Sequence, residues 1–524
     1  MRVRDTLTRR CSWLVTLVFV LGLSQGQVLA SCAGGEKVAT AQRPAATADT
    51  SAALRSLAPH FFGFSFVWVE FQDSLWNEVT GKVRGDAVEW LSTFPGAVYR
   101  YPGGTESNYF DWRVAVDSTS TRQPRKAVKW KGPVVVKFGL REYLDFVRDV
   151  GGQPWYIPNL FGQYDKEGDA DDLASEAGKL AEYLKANQAP GQAILRWELG
   201  NELDRGEYLW SAEKYLSAAR KSAESIRRAD PEARFVAIME DYDAHWRWRF
   251  TSSDEYNRKV AAGLSDLTGE YAQHAYYDGR NVEVPYSVPK RIAQICKSIE
   301  VAASVRPRAG PVKIWVTEHG RQPVKSAKDA EWKPTWPESA NLEAALGVAD
   351  FVIASTQIPE VEGLFVHALH GLDAPWPMFH KIGKEGRVYP SAIFWALSVL
   401  RQSFQTEVWP TASRSANTSG YSGGYDVRAT VLSDPKRAKW TVWVVNRSAD
   451  EQSIELRIPA LSGMKAKLVR RVLADDNLKA NNYSDPNRLR PRDIPLDTIQ
   501  FDKQGRTTLP LLPQSVMAAS LDIL

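Results

Sequence analysis

In two short stretches of the chain, a glutamate lies at or just after the end of an apolar run. One is ILRWELGNELDRG, residues 194–206, in which a Gly-Asn pair interrupts the run just before Glu202. The other is IWVTEHG, residues 314–320, in which Glu318 follows the run directly. Two carboxyl groups that meet across one cleft can hydrolyse a glycosidic bond, one as proton donor and the other as nucleophile. The pair therefore predicts a two-glutamate glycoside hydrolase.

This chemistry requires that one carboxyl group is protonated while the other is ionised. We expect Arg100 and Tyr276, which lie near the ends of other apolar runs, to hold Glu318 ionised through charge and hydrogen bonding. We expect aromatic walls around Glu202 to raise its pKa by desolvation. Either glutamate alone is more typical of a helix cap or of a partner for a basic residue. The two together, at matching positions, favour catalysis.

A third carboxylate, Glu198, lies four residues before Glu202. In a helix the two would share a face, but the Gly-Asn break after Leu199 favours a strand that ends there. On a strand Glu198 points into the interior, where its charge needs a cation such as Arg100 or Arg196. We therefore interpret Glu198 as a structural residue rather than a catalytic one.

The elements that must position these residues lie between residues 59 and 404, where eight short apolar runs alternate with eight amphipathic helical patterns. The predicted strands cover residues 61–69, 97–101, 154–161, 194–199, 234–239, 270–277, 313–318 and 364–370. Eight such units predict an α/β fold, the (β/α)₈ TIM barrel, whose functional residues follow the C-terminal ends of the strands. An open doubly wound sheet is the alternative, although no G-x-G-x-x-G follows the first strand. The polar residues near predicted strand ends are Arg100, Asn201, Glu202, His274, Tyr276, Glu318, His370 and Asp373.

Aromatic residues near the strand ends support a carbohydrate partner, because flat rings can stack on the apolar faces of sugars. Trp68 and Trp376 are predicted to contact the substrate. The other tryptophans in such positions are Trp112, Trp210, Trp246, Trp248, Trp332 and Trp336. Six of the seven histidines lie on or after the last four strands, but no H-E-x-x-H or Cys/His spacing typical of zinc accompanies them. We predict no metal and no cofactor.

The ends of the chain differ in composition from the barrel region. After residue 404, runs such as WTVWVVNRS and SIELRIPAL are separated by turn residues and predict a β-sandwich over residues 405–524. Residues 1–31 have the basic start and apolar run of a signal peptide, and the small, polar segment 32–58 is predicted to be a flexible tether.

The signal peptide has two possible cleavage sites. VLA before Ser31 suits ordinary signal peptidase, whereas LASC resembles a bacterial lipobox with Cys32 as the lipid-bearing residue. We favour an exported cell-envelope lipoprotein, periplasmic or on the outer surface, with a secreted protein as the alternative. The net charge is only +4, with no basic block that could follow a phosphate backbone, so no nucleic-acid partner is predicted. A membrane is predicted as a partner only through the lipid anchor.

Several motifs also resemble those of the clan A retaining glycoside hydrolases. YRYPGGTESNYFDW and GNELDRG are similar to family 51 α-L-arabinofuranosidases, while WELGNE and HAYYDGR are similar to the family 79 heparanase and β-glucuronidase group. The resemblance implies that Glu202 is the acid/base, Glu318 the nucleophile and Asn201 a contact of the sugar 2-hydroxyl. It also implies that Arg100 and Tyr276 hold the nucleophile and that His274 lines the sugar site.

The leading hypothesis is a retaining glycoside hydrolase that acts on a polysaccharide or oligosaccharide, with arabinofuranosidase as the first choice of activity. A β-glucuronidase or heparanase-like activity, or that of another clan A glycosidase, is the second. A surface lipoprotein that binds glycans without cleaving them is an alternative from another class. The two carboxylates weigh against that alternative, because a binding protein has little need for both.

Overall fold

A computed structural model of the chain describes residues 43–126, 132–205, 208–240, 252–277, 287–306, 310–321, 339–372, 376–381, 386–416 and 425–524. The predicted signal peptide and Cys32 lie outside these residues, so both stay predictions.

Eight parallel strands close into a barrel in the order in which they occur along the chain, and the eighth pairs with the first. They are β1 (Phe62–Ser65), β2 (Val98–Tyr101), β3 (Gln153–Tyr156), β4 (Arg196–Leu199), β5 (Phe235–Ile238), β6 (Glu270–Tyr277), β7 (Lys313–Arg321) and β8 (Val361–His367). Each overlaps a predicted strand, so the predicted (β/α)₈ barrel is confirmed and the open sheet is wrong. Strand ends are less well predicted: β1 ends at Ser65 rather than residue 69, and β8 at His367 rather than residue 370.

Helices follow every strand of the barrel. They are α1 (Trp68–Leu75), α2 (Gly85–Leu91), α3 (Leu140–Asp149), α4 (Ala170–Asn187), α5 (Ala212–Ala229), α6 (Ser253–Gly263), α7 (Val288–Ser304), α8 (Leu342–Thr356) and α9 (Ala392–Gln402). Many have the expected cap; Ser211, for example, accepts a hydrogen bond from the Lys214 amide at the start of α5. In the described part of the chain, no helix has the length and apolar character needed to cross a membrane.

Large rings fill the barrel below its C-terminal mouth. Trp155 from β3 contacts Trp315 from β7 and Phe365 from β8, with ring centroids 4.9 Å and 5.0 Å away. Two glycines make room for these rings: a Cβ at Gly63 would lie 2.0 Å from Phe365, and one at Gly363 would lie 2.7 Å from Trp315. The packed rings close the interior and leave the functional residues at the mouth.

The second domain is a sandwich of a four-stranded and a seven-stranded sheet. In sheet order, the smaller sheet contains Thr411–Arg414, Ala45–Ala48, Gln452–Arg457 and Arg506–Leu511. The larger contains Arg55–Ser56, Glu407–Trp409, Val427–Ser433, Lys439–Asn446, Ser515–Ile523, Lys465–Ala474 and Arg492–Gln500. The predicted β-sandwich is therefore confirmed.

The prediction of a flexible tether over residues 32–58 is wrong for the residues that the structure describes. Residues 45–48 pair with strands on both sides in the smaller sheet, and Arg55–Ser56 pairs with the larger one. Ala46 and Ala48 are almost completely buried because alternate side chains of a strand face the same way. The small residues that suggested flexibility instead allow close packing in the sandwich.

Short elements complete the fold. Two-stranded hairpins pair Trp76–Asn77 with Lys82–Val83, Gly162–Gln163 with Lys166–Glu167, and Phe379–Lys381 with Val388–Pro390. Within the described parts of the chain, 3₁₀ helices cover Pro59–Phe61, Thr105–Tyr109, Trp112–Ala115 and Pro459–Leu461.

A buried ion cluster joins the two domains. Asp350 on α8 accepts hydrogen bonds from Arg428 at 2.5 Å and from Arg447 at 3.0 Å, and all three side chains are buried. Both arginines belong to the sandwich. Because a buried carboxylate without its partners is costly, this cluster fixes how α8 sits on the sandwich.

Candidate active site

Glu202 and Glu318 meet at the mouth of the barrel. One carboxylate oxygen of each, together with a ring nitrogen of His274, lie within 4.8 Å of one another. In retaining glycosidases the two carboxyl groups are about 5–5.5 Å apart, whereas inverting enzymes need about 6.5–9.5 Å to accommodate a water molecule. The separation therefore fits retention.

The backbone after β4 turns sharply to present Glu202. Gly200 has φ 91°, and a Cβ there would come within 2.9 Å of Leu203. Glu202 itself has φ 47°, a left-handed conformation that is uncommon for a residue with a side chain. The Asn108 side chain donates to the Asn201 carbonyl at 2.8 Å and holds this turn from the side of β2. The Gly-Asn interruption of the apolar run is thus the turn that aims Glu202 into the mouth.

Glu318 is held ionised, as predicted. Its Oε1 accepts a hydrogen bond from Arg100 Nη1 at 2.7 Å, and its Oε2 accepts one from the Tyr276 hydroxyl at 2.7 Å. Burial would raise the pKa of Glu318, but His274, His367, Arg100 and the Tyr276 hydrogen bond outweigh it and hold the pKa well below its usual range. Glu318 therefore has the charge state of a nucleophile.

The prediction for the pKa of Glu202 is wrong in sign. Burial acts to raise it, but Arg205 and His274 more than compensate, and the pKa lies below its ordinary value. His274 Nδ1 is 2.6 Å from Glu202 Oε1, and Arg205 Nη1 is 3.4 Å from the same oxygen. The expected aromatic walls do not set this pKa, because the charge of Arg205, three residues further along the chain, acts in the opposite direction.

His274 bridges the two glutamates. Besides its contact with Glu202, its Nδ1 lies 3.5 Å from Glu318 Oε2. Burial acts to lower the pKa of His274, but the charges of Glu318 and Glu202 outweigh burial and raise the pKa above its ordinary value. A proton is therefore retained between Glu202 and His274, and the pair can exchange it. Tyr276 stays a neutral donor because burial raises the pKa of its phenol further.

Two buried polar atoms beside the catalytic pair have no hydrogen-bond partner among the described residues. They are Asn201 Nδ2 and His367 Nδ1. The Asn201 amide oxygen is already occupied, since it accepts from Arg100 Nη2 at 2.7 Å, so its Nδ2 is the group left to donate. Buried polar groups are normally satisfied, so these atoms are suited to a ligand with hydroxyl groups.

The two tryptophans predicted to contact substrate have different positions. Trp376 stands beside Tyr276 with ring centroids 5.2 Å apart, and its indole donates to the Arg321 carbonyl at 2.8 Å. It forms part of the site wall. Trp68 is fully buried at the start of α1 against Phe110, so its predicted role in substrate contact is wrong. The strand was expected to reach residue 69, whereas the chain has already turned into a helix there.

Other residues of the site were missed or misplaced by the sequence argument. His367, at the end of β8, stands near Tyr276 and Trp376, whereas His370 lies past the strand with Nε2 3.9 Å from Glu70. A correct end for β8 would have identified His367. Trp246, Trp248, Trp332, Trp336 and Asp373 lie outside the described residues.

Glu202, His274 and Glu318 are also the one group among the described residues with the geometry to hold a metal ion. Two carboxylates and an imidazole are suitable ligands for a transition metal. Oxygens of both carboxylates already contact Arg100, Arg205 and Tyr276, and these contacts compete with a cation. The prediction that the enzyme uses no metal stays a prediction.

No family model matches the chain. The intracellular exo-α-(1→5)-L-arabinofuranosidase of Streptomyces lividans is 25% identical over 477 residues, which cover 83% of this chain and 67% of that protein. The exo-α-(1→6)-L-arabinofuranosidase of Bifidobacterium longum is 28% identical over 206 residues, 37% of this chain and 38% of its own length.

Solved structures share the fold. The α-L-arabinofuranosidase of Thermotoga maritima, in complex with arabinose, superposes with a TM-score of 0.72 at 17% identity and covers 92% of this chain and all of its own. The resemblance to family 79 stays a prediction. The resemblance to the family 51 α-L-arabinofuranosidases, and with it the prediction of a glycoside hydrolase, is confirmed by these comparisons.

Proposed function

We propose that the protein is a retaining α-L-arabinofuranosidase that works by double displacement. The observation that carries this proposal is the pair Glu202 and Glu318, with oxygens within 4.8 Å and unlike surroundings. Glu318 is fixed as a carboxylate by Arg100 and Tyr276. Glu202 shares a proton with His274. One acid is thus ready to attack and the other is next to a proton source.

In the first step, a Glu318 oxygen attacks the anomeric carbon and the bond from that carbon to the leaving oxygen breaks. The leaving oxygen takes, through Glu202, the single proton that Glu202 shares with His274 across their 2.6 Å contact, which leaves Glu202 a carboxylate and His274 neutral. In the second step, Glu202 accepts a proton from water, the water oxygen attacks the anomeric carbon, and the bond to Glu318 breaks. The sugar leaves with its original anomeric configuration.

Three residues support a sugar in the site. Asn201 Nδ2 and His367 Nδ1 are available to hydroxyl groups, and Trp376 offers a ring at the wall. The choice of arabinofuranose rests on the relatives, two of which are named as exo-acting α-L-arabinofuranosidases. We therefore propose terminal α-L-arabinofuranosyl groups of an oligosaccharide or polysaccharide as the substrate.

A panel of aryl glycosides tests this function. We expect the purified enzyme to hydrolyse 4-nitrophenyl α-L-arabinofuranoside faster than the β-D-glucuronide, with the α anomer as the first product by NMR. Glu318→Ala should reduce kcat by more than about 10⁴-fold, and azide should restore part of the turnover, because the nucleophile is missing. Wild-type rates in Glu318→Ala would reject the mechanism. Faster hydrolysis of the glucuronide would mean that the enzyme is a β-glucuronidase instead. Binding of glycans without any hydrolysis would favour the non-catalytic glycan-binding protein.

We further propose that the protein is exported and held at the bacterial envelope by a lipid on Cys32. The support is the sequence: a basic start, an apolar run and the LASC motif. Ten residues, 33–42, separate Cys32 from the first described residue, and a fully extended segment of that length spans about 35 Å at most. Labelling with an alkyne fatty acid should mark the wild type and not Cys32→Ser. Equal labelling of both would refute the anchor.

A further inference from the structure

One fully buried carboxylate has no part in the double displacement. Glu198 lies on β4, and its side chain is 0% exposed. Its Oε2 accepts hydrogen bonds from Arg100 Nε at 2.7 Å and from Trp155 Nε1 at 2.8 Å, while its Oε1 accepts from Arg100 Nη2 at 2.9 Å and from Thr317 Oγ1 at 3.0 Å. The expected pairing of Glu198 with Arg100 is confirmed, and the carboxylate joins residues of four strands.

Glu198 determines where the Arg100 guanidinium points. Arg100 has five N–H groups, and five acceptor contacts use them. Nε and one proton of Nη2 bind Glu198 in a two-pronged pair; the second proton of Nη2 binds Asn201, and Nη1 binds Ser65 and Glu318. A planar guanidinium gripped along one edge cannot turn about its long axis, so the other edge is aimed at the nucleophile.

Glu198 also contacts the nucleophile's own strand. Thr317, which donates to Glu198 Oε1, directly precedes Glu318 on β7. The nucleophile is therefore held at two points. Arg100 binds its carboxylate, and Glu198 binds the preceding residue, Thr317. Asn201, with its free amide nitrogen for the sugar, is fixed through the same guanidinium.

We propose that Glu198 is a positioning residue for the glycosidase reaction: through Arg100 and Thr317 it sets the place of the Glu318 carboxylate, and through Arg100 that of Asn201. The inference deepens the proposed function and rests on it. A purely structural glutamate would stabilise the barrel equally well but would have no effect on the reaction beyond that of lost stability.

The barrel contains a matched control for this difference. Glu270, the first residue of β6, accepts from Arg196 Nε at 2.7 Å and from Trp315 Nε1 at 2.7 Å, and it is also buried. Its arginine turns to the Leu195 carbonyl at 2.6 Å instead of the catalytic pair. Glu270 thus has the chemistry of Glu198 at the opposite end of the strands.

The test compares Glu198→Gln with Glu270→Gln. We expect kcat to fall about 100-fold in Glu198→Gln with KM within about threefold, because a misplaced nucleophile slows the chemical step. Glu270→Gln should keep kcat within about twofold of the wild-type value, although its melting temperature should fall about as much as that of Glu198→Gln. Equal kcat losses in both variants would overturn the proposal.

A double-mutant cycle adds a readout that stability alone does not move. If Glu198 acts through Arg100, then Glu198→Gln should lower kcat much less in an Arg100→Lys background than in the wild type. Additive losses would contradict positioning through Arg100.

A crystal structure of Glu198→Gln separates this inference from the substrate assignment. We expect the contact from Arg100 Nη1 to Glu318 Oε1 to be lost or lengthened whichever glycoside the enzyme cleaves. An unchanged Arg100, with its contacts to Glu318 and Asn201 intact, would overturn the inference even if the enzyme is an arabinofuranosidase. If the Arg100–Glu318 contact changes as expected but the enzyme cleaves another sugar, only the assignment of arabinofuranose as the substrate is rejected.

Discussion

Two buried groups of glutamate, arginine and tryptophan occupy the same barrel at different depths. The upper triad is Glu198, Arg100 and Trp155, and the lower triad is Glu270, Arg196 and Trp315. In both, the carboxylate accepts from the arginine Nε and from the indole nitrogen at 2.7–2.8 Å. The two indoles even touch each other, edge to face, at 4.9 Å.

The two triads differ in what the arginine reaches next. Arg100 contacts Glu318 and Asn201, which stand at the mouth where strand ends bring functional residues together. Glu270 at the base is instead shared with Arg234, an arginine whose side chain is 59% exposed to solvent. A buried ion pair is therefore weak evidence for function by itself. Its position relative to the C-terminal strand ends decides whether it supports chemistry or only the fold.

Replacement of the arginine by lysine should give the largest difference in activity between the two triads. Lysine keeps the charge but not the two-pronged geometry. We expect Arg100→Lys to lower kcat/KM about 300-fold, because Glu318 and Asn201 lose a directed donor. Arg196→Lys should leave kcat/KM within about threefold while it lowers the melting temperature. Steady-state kinetics with thermal unfolding of both variants checks this, and similar kcat/KM values for the two would contradict the comparison.

A histidine stands near each triad, and the two should differ in their effect on pH dependence. His274 has a raised pKa, so the Glu202–His274 pair keeps its proton above pH 6.5 and loses it as the pH rises through the raised value. In His274→Asn, Glu202 alone holds the proton beside Arg205, so the alkaline limb of kcat/KM should move down by about one pH unit or more.

His60 provides the control for this variant. It lies near the base, 5.5 Å from the Trp315 ring and 3.4 Å from Glu362. His60→Asn should leave the pH profile unchanged. A shift in both variants, or in neither, would mean that the alkaline limb reports something other than the proton shared by Glu202 and His274.

Removal of one indole donor should have the smallest effect. Trp155→Phe and Trp315→Phe each leave a buried carboxylate with one hydrogen bond fewer, so each should lower the free energy of unfolding by about 1.5–3 kcal/mol. Only Trp155→Phe should also reduce kcat, by about threefold, because Glu198 keeps its grip on Arg100 but loses one of four donors. Urea unfolding and kcat measurements of both variants check this prediction. A loss of kcat in Trp315→Phe alone would contradict the assignment of the upper triad to the reaction.

Most of the barrel was predictable because its strands are short apolar runs with a polar residue at the end. The same logic identified Arg100, Tyr276, Glu202 and Glu318, since parallel strands must bring their ends to one face. Prediction failed where an element ends inside an apolar run, as at Trp68, because hydrophobicity alone does not distinguish a strand from the first turn of a helix. It also failed for residues 45–48, whose partners in the sandwich lie hundreds of residues away.

The eight-fold alternation, the two glutamates and the turn that aims Glu202 could be predicted from the chain alone, because they follow from local periodicity and from the conformational freedom of Gly200. The charge state of Glu202 and the separate roles of Glu198 and Glu270 could not be predicted in this way, because they depend on the folded barrel. Electrostatic effects depend on distances between residues far apart in the chain, such as the 2.7 Å from Arg100 to Glu318. Those distances arise only when the barrel closes and brings residues of β2 and β7 into contact with Glu198 on β4.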